Sequence, residues 1–93
     1  MIRLNPRKKI ELSEGKTGEC FAFDHETGVI FHLNRLATLI LAKIMQSPHT
    51  VDQLVEEIRS RFTVPEGILR ADLGSFLDEV CREDLAEWID GPP

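Results

Sequence analysis

Between Glu19 and Leu33 the bulky side chains alternate, and beyond Asn34 they recur every third or fourth residue. That switch from period two to period 3.6 predicts strands first and helices after. Lys8 to Leu12, with Ile10 and Leu12 set between charges, reads as a first short strand. Glu14-Gly15-Lys16-Thr17-Gly18 has the composition of a turn. Glu19 to Asp24 reads as a second strand, with Phe21 and Phe23 on one face and Cys20 and Ala22 on the other. The acidic turn Asp24-His25-Glu26-Thr27 then leads through Gly28 into a third strand, Val29 to Leu33. Val29, Phe31 and Leu33 are expected to face a core, and Ile30 and His32 to face away from it.

Asn34 stands where a helix N-cap belongs, ahead of Leu36, Leu39, Ile40, Ile44 and Met45. The spacing predicts helix one over Arg35 to Gln46, stopped by Ser47-Pro48. Thr50 followed by Gln53 is a capping-box pattern that opens helix two, whose stripe is Val51, Leu54, Val55, Ile58 and Phe62. Val64-Pro65 breaks that pattern, and Pro65 suits the first turn of helix three, about Glu66 to Glu83. Its inward stripe is Leu69, Leu73, Phe76, Leu77 and Val80. Leu85, Trp88 and Ile89 form a last apolar cluster, read as a frayed turn closing over the core.

Strands segregated from helices argue for an α+β fold, here a winged-helix-like arrangement: a three-stranded antiparallel sheet followed by three helices. One core is expected, with Leu33, Leu36, Ile40, Leu54, Ile58, Phe62, Leu73, Leu77 and Val80 in it. Residues 1–7 are expected to be a flexible basic lead-in, residues 8–90 one domain, and residues 91–93 a tail. Ninety-three residues suit one small domain with little room for a deep catalytic pocket. No apolar run approaches the roughly 20 residues of a membrane span. No signal-peptide segment is present, so the cytoplasm is the default and no membrane partner is expected.

The net charge of −5 is unevenly spread: residues 1–16 carry +3 and the remainder −8. An acidic body repels phosphate backbones and favours basic partners. Helix two sets Gln53, Arg59 and Arg61 against Asp52, Glu56 and Glu57, and helix three sets Arg70 and Arg82 against Glu66, Asp72, Asp78, Glu79 and Glu83. Neither carries the basic stripe that DNA requires, so no nucleic acid is expected as a partner.

Cys20 and Cys81 match no metal spacing and read as buried thiols, one on a strand and one on a helix. His25 lies in a turn, His49 precedes the Thr50 cap, and His32 sits mid-strand on the face away from the core. No histidine spacing suits a metal. The pairs Glu56/Glu57, Asp78/Glu79 and Glu83/Asp84 are adjacent, so on a helix their side chains diverge by about 100° and share no site. Gly15 and Gly18 do not precede a helix and form no phosphate loop. No catalytic residue, metal or cofactor is expected. If the Val29 to Leu33 strand is an edge, it offers unpaired backbone groups to an extended peptide.

Several stretches together resemble a known family. They are the Asp24 turn with Thr27-Gly28-Val29-Ile30-Phe31-His32-Leu33-Asn34, the Thr50-Val51 helix ending in Arg61-Phe62-Thr63-Val64, and Ala71-Asp72-Leu73-Gly74-Ser75-Phe76-Leu77. In their order and spacing they are similar to the pyrroloquinoline quinone biosynthesis protein D (PqqD) family over about residues 8–85. Such domains are also called RiPP recognition elements, after ribosomally made, post-translationally modified peptides.

The resemblance implies a non-catalytic peptide chaperone. It would bind the leader segment of a precursor peptide by strand addition and present it to a maturation enzyme: a leader peptidase, a cyclase or a radical enzyme. The implied peptide-binding positions are Val29, Ile30, Phe31, His32 and Leu33 on the strand, and Leu69, Asp72, Leu73, Phe76 and Glu79 on helix three. Plain core packing is the competing role for Phe31, Leu73 and Phe76. One departure stands out. Members commonly end helix three with a glycine and an apolar pair, whereas Glu83-Asp84-Leu85-Ala86-Glu87-Trp88 has no glycine. A winged-helix DNA-binding regulator and a protein-docking adaptor are the alternative readings.

Overall fold

The computed structural model describes residues 1–16 and 20–89. Five strands and three helices follow in the order β1 (Ile2–Leu4), β2 (Ile10–Glu14), β3 (Cys20–Asp24), β4 (Ile30–Leu33), α1 (Arg35–Gln46), α2 (Val51–Arg59), α3 (Glu66–Arg82) and β5 (Ala86–Trp88). The fold is α+β. One antiparallel sheet has the order β2-β3-β4, and a separate antiparallel pair joins β1 to β5.

The local signals act as their chemistry requires. The Asn34 side chain accepts from the Ala37 N–H at 2.7 Å, which starts α1 directly behind β4. Thr50 and Gln53 complete a reciprocal capping box, at 3.1 Å and 2.9 Å, which starts α2. Ile40, Leu41 and Ile44 of α1, Leu54, Val55 and Ile58 of α2, and Leu69, Leu73, Leu77 and Val80 of α3 meet in one core with Leu33. Leu36 and Phe62 are only half-buried and pack at its margin. α2 ends at Arg59, one turn before Phe62, whose ring lies beneath the Arg35 guanidinium.

Two expectations are overturned at the chain ends. Residues 1–7 hold a strand in place of a loose lead-in: Ile2 is fully buried, and β1 pairs with β5 in the register Ile2–Trp88, Arg3–Glu87 and Leu4–Ala86. The other edge of β1 meets His49 through two backbone hydrogen bonds at Ile2. The last apolar cluster is likewise a strand rather than a frayed turn. Arg3 pairs with Glu87 across this ladder. Buried Asn5 donates its side-chain amide to the Asp84 carbonyl at 3.0 Å and so ties the two ends together.

The missing glycine after helix three has a structural answer. Asp84 takes the left-handed conformation, φ 64°, that a glycine usually fills. The Leu85 N–H donates to Val80 O at 2.9 Å and the Asp84 N–H to Cys81 O at 3.1 Å. Those two bonds are the Schellman closure, and they turn buried Leu85 back onto Val80. The proposed turn residues Thr17 and Gly18, the strand start Glu19 and the tail 91–93 lie outside the described residues.

Candidate functional site

Among the described residues β4 is bonded to β3 alone, in the register Cys20–Leu33, Phe21–His32, Ala22–Phe31 and Phe23–Ile30. The Asp24 N–H donates to Val29 O at 2.9 Å. Bonded and non-bonded pairs alternate along an antiparallel ladder, so Phe31 and Leu33 direct their backbone groups to β3. Ile30 and His32 direct theirs the other way, onto an edge that no strand occupies among the described residues.

Side-chain directions follow the same parity. Ala22, Phe31 and Leu33 point inward, while Ile30, 63% exposed, and His32 share the outer face with Phe21 and Phe23. The His32 ring lies 5.1 Å from that of Phe21, so what His32 brings to the edge is its backbone. Phe21 and Phe23 therefore sit on the outer face, and the small residues Cys20 and Ala22 turn toward the helices.

A groove of about 360 Å³ runs between the β4 edge and the C-terminal half of α3. Ala22, Ala37, Val80 and Leu85 line it with apolar surface. Phe31 and Leu33 flank it on the strand side, and Phe76, Glu79 and Glu83 on the helix side. The two alanines leave the space that larger residues would occupy. The lining also contains Ile30, His32 and Asn34. A second hollow of about 410 Å³ continues along α3 past Asp72, Ser75 and Phe76.

Of the residues singled out from sequence, Ile30, Phe31, His32, Leu33, Phe76 and Glu79 come together at the groove, and Asp72 lies in the adjoining hollow. Val29, expected to open the strand and face the core, instead lies just before β4 and is 45% exposed, because it joins the turn at Gly28 rather than the sheet. Leu69 and Leu73 are fully buried in the core and reach neither space. Val80, Glu83 and Leu85 line the groove without having been singled out for it. Val80 and Glu83 stand four and seven residues beyond Phe76, and that helical spacing was the available signal. Leu85 enters through the turn at Asp84, which no spacing foretold.

The hairpin that presents β4 is held at its tip by a buried ion pair. Lys8 Nζ lies 3.0 Å from Asp24 Oδ2, and both side chains are almost fully buried. Burial pushes the Asp24 carboxyl up. Hydrogen bonds from Lys8, the Glu26 N–H and Thr27 outweigh it and hold the group below its ordinary 3.8. The bond to Asp24, against the opposing effect of burial, raises Lys8 above its ordinary 10.5. Asp24 O also accepts from the Gly28 N–H at 2.8 Å, and Gly28 turns the chain at φ 78°.

Other reactive side chains lie apart from the groove. His25 is 3.9 Å from Glu11 at the hairpin tip. Cys20 and Cys81 are half-buried and not joined to each other. Burial, and then the Asp78 carboxylate, push the Cys81 thiol up and hold it protonated. Among the described residues no cluster of His, Cys, Asp and Glu is placed to hold a metal. Among them, too, no helix is long and apolar enough to cross a membrane.

Two solved structures have this fold. One is a lasso peptide synthetase B1 complexed with the leader peptide, 20% identical, with a TM-score of 0.71 over 94% of this chain and 98% of that one. The other is TbiB1 in complex with the TbiA(beta) leader peptide, 17% identical, with a TM-score of 0.74 over 94% of this chain and 96% of that one. At those identities the likeness is one of fold. No curated protein gives a significant match. The family model described as coenzyme PQQ synthesis protein D (PqqD) matches residues 19–89, which run from the start of the β3–β4 hairpin through β5. Matched over most of its length, the chain belongs to the PqqD family.

Proposed function

We propose that this protein is a non-catalytic peptide chaperone. It binds the leader segment of a ribosomally synthesised precursor peptide and presents the remainder to a maturation enzyme. The observation that carries this reading is the β4 edge: Ile30 and His32 hold their backbone groups toward open space beside a groove with an apolar floor. Strand addition supplies affinity through backbone hydrogen bonds, and pockets for alternate side chains supply choice. Family membership supports it, as does a fold shared with two proteins solved with leader peptides.

The binding positions proposed are Ile30 and His32 through their backbones, and Phe31, Leu33, Phe76, Glu79, Val80, Glu83 and Leu85 through their side chains. The test is fluorescence anisotropy of the purified domain with a labelled leader, taken from a short precursor encoded beside its gene. Saturable binding that an unlabelled leader competes away is the expected result. A neighbouring leader that does not bind at micromolar protein, on the order of the affinities that convert to about 8 kcal/mol, overturns the reading.

A further inference from the structure

The charges around the groove are of one sign. Among the described residues, Glu79 and Glu83 are the only side chains of full charge in its lining, and Asp72 continues the series along α3. None of the three has an ion pair among the described residues. Some carboxylates elsewhere are paired, Glu66 with Arg59 and Arg70, Asp52 with Arg70, Glu57 with Lys43 and Glu87 with Arg3, while others such as Glu56 and Asp78 stand on open surface where water solvates them. A peptide laid against α3 removes water from Glu79 and Glu83, and an uncompensated carboxylate in such a place is costly. The groove thus discriminates in two ways: it favours an occupant that brings cations and rejects one that brings acids.

Spacing narrows the occupant further. Alternate side chains of a strand stand about 6.6 Å apart on one side. Glu79 and Glu83 are four residues apart on a helix, about 6 Å along its axis. A side chain over the floor between Ala22 and Ala37 and its neighbour two residues away therefore fall on the scale of this wall.

We propose that the groove takes an extended segment in which one apolar residue seats over Ala22 and Ala37 and a Lys or Arg two residues away lies against Glu79 and Glu83. This rests on the peptide-groove reading and specifies its ligand. The test pans a random peptide library on the immobilised domain, in parallel with a Glu79→Lys/Glu83→Lys double variant and with His32→Pro. Peptides that the parent captures and His32→Pro does not are expected to carry Lys or Arg two places from an apolar residue. The double variant is expected to select Asp or Glu there. A synthetic consensus peptide should bind the double variant about tenfold more weakly at low salt, with the gap closing as salt rises.

A consensus that depends on His32 but shows no charge preference, or the same one on parent and double variant, overturns this inference and leaves the peptide groove standing. Capture of no His32-dependent peptide overturns both. Each variant is first checked for a cooperative melt. If the double reversal melts without one, Glu79→Gln/Glu83→Gln takes its place and is expected to lose the Lys and Arg preference without acquiring another.

Discussion

Lys8 and Asp24, sixteen residues apart, form an ion pair with both side chains shut away from solvent, and that pair anchors the turn from which β4 departs. Asp24 also accepts from the Glu26 N–H at 2.9 Å through its other oxygen, so one carboxylate fixes both the base and the first bend of the hairpin. The free edge of β4 thus inherits its position from a buried charge rather than from apolar packing alone.

The pair makes stability depend on pH at both extremes. The folded Asp24 carboxyl lies below 3.8, so its contribution is present above that value and is lost as pH falls through the lowered folded value. Lys8 lies above 10.5, so its contribution is present below 10.5 and is lost as pH rises through the raised one. Asp24→Asn keeps the shape and strands the ammonium. It should lower the denaturant midpoint at about pH 7, with the difference from the parent shrinking toward about pH 2. A difference that stays constant across that range would show that the charge contributes nothing.

Leu54 sits at the centre of the helical core, 1% exposed. Leu54→Ala should cost roughly 2–5 kcal/mol, since the cavity collapses only in part. Chemical denaturation measures it directly, and a loss under about 1 kcal/mol, as for a surface site, would contradict the assignment.

Asp84 is held at φ 64°, a region that Asp tolerates better than most residues but that glycine enters more readily still. Asp84→Gly removes the Cβ penalty of the left-handed region, about 1–2 kcal/mol, against a glycine entropy cost of about 0.5–1 kcal/mol. A net gain near 0.5–1 kcal/mol is expected from thermal or denaturant unfolding. Asp84→Val should lose stability at the same position.

Proline substitution along β4 separates edge pairing from sheet integrity. The His32 N–H faces the free edge, so His32→Pro forfeits no bond to β3 and should fold while failing to bind leader. His32→Ala should weaken binding by only about 1 kcal/mol. Phe31→Pro removes a bond to β3 and should destabilise the domain itself. Circular dichroism and a cooperative melt come first, then anisotropy. A folded His32→Pro that binds as tightly as the parent eliminates strand addition. Phe76→Ala, read together with its stability, tests the opposite wall.

Duplex DNA should not bind. The −8 carried by residues beyond 16 leaves few phosphates to neutralise. A gel shift at about 150 mM salt should show no complex, and sub-micromolar, sequence-dependent binding there would refute this.

The elements between Ile10 and Arg82 were legible in the sequence because their signals are local. The Asn34 cap and the Thr50/Gln53 box act within a few residues, and the structure realises them where the spacing puts them; the alternation holds over Ile30 to Leu33 but not at Val29, which is exposed ahead of the strand. Part of the groove was legible for the same reason, since Phe31, Leu33 and Phe76 lie on stripes of known period, while Glu79 was named only through the family resemblance. Leu69 and Leu73 lie on the inward stripe too, but only packing reveals that they are wholly buried.

Tertiary structure alone decided the rest. β1 and β5 are three residues each, too short for a period to declare itself, and they pair across more than eighty residues. Such a contact depends on where the helices bring the two ends. The inward turn of Ala22, with Phe21 and Phe23 left on the outer face, is set by the register with β2 and β4, and no propensity of the strand itself specifies it. Leu85 reaches the groove only because the backbone turns at Asp84 in the left-handed conformation, which no spacing in the sequence announces. Local sequence chose the elements. The packing of α3 beside the outer edge of β4, over two alanines, created the space between them.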